Sequence, residues 1–215
     1  MRELSAAWWQ WALSIPASVN PLGDPTGALC GVGQHGGVWF LGGTLDVSNP
    51  AERSCKVPAG TAIFFPVINA ECSVIEDSSL QDRAALRACA KGFMDLVTAA
   101  DAEVDGRPVK VVRARSALFA ITLPPGDVLG IVGNPDKSQT PNPSPAVADG
   151  FWVLLERLPI GEHSITSEGK LVFPDQSTFE QQIDYSIEVV PPSFGDAAAV
   201  PSGEIPPAVV PSPTD

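Results

Sequence analysis

The chain has 215 residues, 44% of them hydrophobic, with 13 Lys+Arg against 25 Asp+Glu and a formal net charge of −12. A chain this acidic repels a phosphate backbone unless a basic patch offsets it; no such patch stands out in the sequence, so nucleic acid is excluded as an expected partner. The apolar fraction suffices for a full core, which excludes global disorder, and the length fits one domain plus an appendage.

Residues 4–15 predict a short amphipathic helix. Leu4, Trp8, Trp11 and Ile15 share one face of a 3.6-residue period, Ser5 is placed to cap the start, and Pro16 stops it. Trp9 falls off that face and is the candidate for an exposed ring. Residues 16–37 are rich in breakers, and residues 38–41 form a short apolar run that reads as a strand. Residues 55–60 read as a turn leading into residues 61–68, the most β-like run in the chain, with Pro66 at a bulge or an edge. A polar loop at residues 69–77 follows.

A second helix is expected near residues 80–99, with Leu86, Cys89, Phe93, Leu96 and Val97 on its apolar face and Asp82 in its first turn. Beyond it lie a hairpin around Asp105-Gly106, a strand at 116–123, a long loop at 124–150, and strands at 151–155, 163–167, 169–173 and 179–190. Residues 191–215 hold seven prolines and no basic residue, and they read as a linker or tail outside a domain of residues 1–190. Many short strands with two early helices predict a mainly β fold, a β-sandwich or jelly roll with an N-terminal helix and a further helix near 80–99.

The four cysteines, Cys30, Cys55, Cys72 and Cys89, are separated by 24, 16 and 16 residues. Zinc sites draw ligand pairs from one short turn, so no metal is expected of them. An even, spread count fits two disulfides and an oxidising location, secreted, extracellular or periplasmic. Three pairings are open, of which the sequential one, Cys30–Cys55 and Cys72–Cys89, is favoured. No run of eighteen apolar residues is present, so no transmembrane helix is expected.

A set of local patterns runs through residues 7–190. It includes Trp8-Trp9-Gln10-Trp11, Asn20-Pro21 with Asp24, Cys30 with Gly33-Gln34, and Val57-Pro58-Ala59-Gly60. It continues with Phe64-Phe65-Pro66 through Cys72, Leu86 to Cys89, Asp149-Gly150-Phe151-Trp152, and Gly161-Glu162-His163. This set resembles a family of exported bacterial proteins of unassigned function. The resemblance implies export and a single disulfide-containing β-rich domain, and it lends no catalytic residue.

Chemistry concentrates after the apolar strand, at Asn69, Glu71, Glu76 and Asp77. Two carboxyls there, Glu71 and Glu76, can act as an acid/base pair for glycoside hydrolysis. The same oxygens, with Asn69 and loop carbonyls, can hold calcium. The plainer alternative is a solvated loop before a helix. His163 joins this chemistry if Glu71 or Asp149 lies within hydrogen-bond reach to orient it, while His35 reads as an exposed loop histidine. Trp9, Asn69 and Asp149 are candidate binding residues, since an exposed indole gives a flat platform for a sugar ring. No G-x-S-x-G elbow, dinucleotide fingerprint or Walker loop appears.

Three functions follow as expectations. The first is a secreted sandwich that binds an extracellular polymer, with carbohydrate the favoured class. The second is a polymer hydrolase using the carboxylate pair. The third is a self-assembling extracellular subunit, in which the Pro-rich tail or the 124–150 loop contacts like subunits.

Overall fold

The computed structural model describes residues 1–45, 50–137 and 140–191. Two five-stranded sheets pack face to face. The first runs β1 (Val38–Phe40), β3 (Ala62–Ser73), β8 (Ser144–Leu155) and β6 (Val112–Arg115), with β7 (Phe119–Ile121) also paired to β8. The second runs β2 (Ala51–Pro58), β10 (Thr178–Val190), β9 (Gly161–Val172), β4 (Val97–Val104) and β5 (Arg107–Pro108). Most neighbours are antiparallel. The edge pairs β1–β3 and β2–β10 are parallel, which departs from a purely antiparallel jelly roll.

Between the sheets lie Ile63, Phe65 and Val67 of β3, Val153 of β8, Ile165 of β9, and Ile183, Ile187 and Val189 of β10. The opposite face of the first sheet is covered by α1 (Arg2–Ser14), whose Trp8, Trp11 and Ala12 meet Phe64 and Trp152. Those two sheet rings stack at 5.0 Å with planes 11° apart. A sheet clothed on both faces needs apolar side chains in both directions, which is why residues 63–68 form an unbroken buried run rather than an alternating one. On the side facing the second sheet, α2 (Arg83–Met94) extends that layer, seating Leu86 and Ala90 against Cys72 and Val147. The helix carries a true N-cap, since Asp82 accepts the Ala85 N–H at 2.8 Å.

Pro66 marks the bulge. The pairing of β3 with β8 shifts register between Pro66 and Ile68, and the extra residue reverses which parity faces which layer. Ile63 and Phe65 point to the second sheet before the bulge, and Ile68 and Cys72 do so after it. Asn69, Glu71 and Ser73 are thereby turned to the α1 side.

Several elements differ from expectation, each for a physical reason. The helix at the N-terminus has Met1 at its N-cap without a side-chain cap, and Ser5 Oγ donates to Arg2 O instead. Trp9 is half-buried and packs against both clusters beneath α1, so it is not the exposed platform ring. Strand β2 occupies what reads as a turn, because its buried positions are Arg53, Cys55 and Val57 and the arginine conceals the alternation. Nη1 and Nη2 of the Arg53 guanidinium donate to the carbonyls of Leu22, Gly42 and Gly43 and to Tyr185 Oη, while its buried Nε has no partner among the described residues. Strand β3 continues to Ser73, so residues 69–73 are strand and not loop. The second helix stops at Met94, because Val97 enters β4. The long loop ends at Ser144, where β8 begins, and Asp127 folds part of it by accepting the N–H groups of Leu129, Ile131 and Val132.

Disulfides join Cys30 to Cys55 and Cys72 to Cys89, the sequential pairing. Among the described residues no helix is long and apolar enough to cross a membrane. The Pro-rich segment expected as an assembly tail lies, after residue 191, outside the described residues.

Candidate functional site

The bulge builds the site. With Asn69, Glu71 and Ser73 on one face of β3, the chain turns after Ser73 and brings Glu76 back over the strand end. Ser73 Oγ donates to Glu76 Oε2 at 2.8 Å, and Ile75 N–H is held by Ser144 Oγ at 2.9 Å, which fixes the turn. The Glu71 carboxyl hydrogen-bonds to Glu76. Burial pushes Glu71 up to about 10, the hydrogen bond to Glu76 and its negative charge push the same way, and Ser73 pulls weakly against them. Glu71 is therefore a neutral acid at pH 7 that donates its proton to its partner.

Several buried polar atoms of the first sheet and α1 lack hydrogen-bond partners. Glu71 Oε1, Asn69 Nδ2, Trp9 Nε1 and Trp152 Nε1 are shut off from solvent without a hydrogen-bond partner. Asn69 and Trp152 crowd the same point: a Cβ on Gly150 would lie 2.6 Å from Asn69 Cβ and 2.8 Å from Trp152 Nε1. Glycine is required there because two neighbours occupy the volume of a methyl group. Each orphaned buried polar group costs roughly 1–3 kcal/mol, so this stretch is held at the expense of stability.

The other expected site residues go elsewhere. Asp149 is buried on the opposite face of the first sheet, gripped by Arg113 through Nε–Oδ1 at 3.1 Å and Nη2–Oδ2 at 2.7 Å. Arg113 also reaches Asp95 at 2.9 Å. His163 belongs to β9 of the second sheet, with Nδ1 2.8 Å from Asp105 Oδ2 and Nε2 3.0 Å from Pro159 O. Glu71 faces away from the second sheet, so His163 orients neither Glu71 nor Asp149. Calcium would need further hard ligands beside Glu71 and Glu76, and among the described residues no group of three His, Cys, Asp or Glu side chains is placed for a metal.

Both His163 nitrogens face acceptors, an arrangement that both can satisfy as donors only in the imidazolium form. The Asp105 carboxylate raises its affinity for the proton, burial opposes this, and Pro159 O adds to the rise. A histidine held above its ordinary 6.5 stabilises the fold fully below that value and ceases to do so as pH rises through its folded value. Asp105→Asn is expected to return the His163 titration, followed by NMR, towards 6.5. Its destabilisation is expected at pH 5–6 and to vanish in alkaline solution.

A second concavity lies at the flank of α1. A groove of about 420 Å³ is lined by Trp11, Val38 and Phe40 on its apolar side and by Gln10, Ser14 and His35 at its rim. Trp11 and Phe40 meet at 5.6 Å, and Trp11 Nε1 is anchored on Val32 O. His35 Nδ1 donates to Gly33 O at 3.0 Å, and the ring lines the groove. Sequence reasoning ranked Trp11 as core and His35 as loop; only the fold places them together. Ser73 was missed as well, although the i, i+2 spacing of Asn69, Glu71 and Ser73 is the mark of one strand face.

Fold and site thus define a mainly β, two-sheet domain closed by two disulfides, a combination that fits an oxidising compartment. No protein-family model, curated protein or solved structure matches the chain. The resemblance to exported bacterial proteins accordingly gains no family assignment.

Proposed function

We propose that the domain is a secreted binding module for an extracellular polymer and that its ligand is a neutral carbohydrate held in the groove beside α1. The groove itself carries this reading. An apolar wall with amide, hydroxyl and imidazole groups at the rim suits the alternating apolar and hydroxyl faces of a sugar. The disulfides support export, since small extracellular domains use such staples where thiols are not kept reduced.

Affinity electrophoresis of the full chain through gels containing xylan, a β-glucan or a mannan tests this. Retardation by at least one of them is expected, and Gln10→Ala with His35→Ala is expected to weaken it about tenfold, as the loss of two hydrogen bonds implies. No retardation by any neutral polysaccharide, or equal retardation of the variant, overturns the reading.

A hydrolytic reading is favoured by one observation, the buried Glu71 carboxyl hydrogen-bonded to Glu76. Carboxyls in direct hydrogen bond stand closer than the roughly 5 Å spacing of retaining glycosidases, so binding ranks first. Release of reducing ends from the same polysaccharides, abolished by Glu71→Gln, would reverse that order.

A further inference from the structure

Positive charge is scarce in this chain, yet the fold gathers a share of it at one place. On α2, Arg83, Arg87 and Lys91 recur every four residues and so form a single stripe. Beside that stripe, β6 ends in Arg115. Arg87, Lys91 and Arg115 converge on a small pocket of about 100 Å³ whose floor is Ala90, Val147 and Ala148.

Acidic groups near the pocket are already engaged. Asp149, its one lining carboxylate, is 1% exposed and held by two nitrogens of Arg113. Asp95 receives both Lys91 and Arg113. Arg87 and Arg115 have no ion pair among the described residues. Ser116, 3% exposed, accepts the Ala148 N–H and can give its own hydroxyl proton to a ligand. Four cations against two carboxylates leave the pocket with a local excess of positive charge over an apolar floor, where the field is stronger than on open surface.

We propose that this pocket between α2 and β6 is an oxyanion site, in which Arg87 and Arg115 grip a carboxylate or sulfate group from two sides. Guanidinium forks suit planar carboxylates and tetrahedral sulfates alike. The surrounding chain carries a net charge of −12 and repels polyanions at longer range, so the pocket takes a single acidic group rather than a run of phosphates. The site does not depend on the groove beside α1.

Titration calorimetry of the full chain at low salt, with inorganic sulfate, D-galacturonate and polygalacturonate as probes, tests the assignment. Saturable binding of at least one probe is expected, weakened severalfold on raising salt from 50 to 200 mM. Arg87→Ala with Arg115→Ala should weaken it at least tenfold while leaving the thermal midpoint unchanged, because both side chains are exposed. The Lys counterparts should restore part of the affinity. Polygalacturonate binding far more tightly than its monomer identifies a polymer-borne carboxylate as the source, whereas equal affinities identify a free oxyanion. Absence of saturable binding by all three probes, or binding indifferent to the double Ala variant, overturns the proposal.

Discussion

Glu71→Gln is expected to stabilise the protein, by nothing at pH 4 and by about 3 kcal/mol at pH 7. In the native chain the Glu71 carboxyl is pushed up from 4.5 to about 10 by burial and by Glu76. At this position the native state then binds more protons than the unfolded chain at every pH between those two values. The Glu71 contribution to stability falls as pH rises across that window, by about 1.4 kcal/mol per pH unit. Glutamine keeps a donor towards Glu76 and has no proton to lose, so the variant lacks this slope. Urea midpoints measured from pH 4 to 9 for both proteins isolate the effect of the pair, because every group apart from Glu71 and its coupled neighbour Glu76 titrates alike in both. Two parallel curves would mean that Glu71 is already ionised in the native state. The variant also serves the functional question, since it removes the acidic proton of Glu71 while preserving the fold.

The size of that effect depends on a feature that sequence alone conceals. The cluster of Asn69, Glu71 and Glu76 is legible as polar residues following an apolar strand, and the strand itself is legible from Ile63 to Ile68. What cannot be read is their orientation. Unbroken alternation from Phe64 would send even-numbered residues to the α1 side, and the register shift after Pro66 sends Asn69, Glu71 and Ser73 there instead. Proline signals a bulge or an edge without saying which. Strand β2 was hidden for a related reason: Arg53 occupies a core position and donates to carbonyls distant in sequence, from Leu22 and Gly42, which no local pattern reports.

Elsewhere local chemistry and tertiary structure agree. Asp82 caps α2 as its position before the helix suggests. The apolar residues Trp8 and Trp11 pack inward as their spacing implies. Trp9 does so too, because the sheet beneath α1 is wide enough to need a broader stripe than four residues supply. His163 and Asp149 were reasonable candidates by residue type, and the fold separates them by directing one to each sheet, a consequence of topology that composition does not encode.

Removing either disulfide is expected to cost about 3 kcal/mol, and the two losses should differ in what else they change. The cysteines of the two bridges lie 25 and 17 residues apart, and closing loops of that size restricts the unfolded chain by about 3 kcal/mol each. Against a total of about 5–15 kcal/mol for a domain, losing both leaves a fold near its limit. For a chain of this length each loss should lower the thermal midpoint by about 6–12 °C. Cys30–Cys55 ties the N-terminal turns to β2, far from the carboxyl pair. Cys72 sits between Glu71 and Ser73 and anchors the end of β3 to α2. Cys72→Ala with Cys89→Ala should therefore loosen the strand end, admit water to Glu71 and flatten its pH dependence, while Cys30→Ala with Cys55→Ala lowers the midpoint and keeps the slope. A reduced protein with an unchanged midpoint would remove the stabilising role of the bridges, and with it the physical ground for placing the domain in an oxidising compartment. Equal loss of the slope in both variants would show that Glu71 responds to global loosening and not to the bridge beside it.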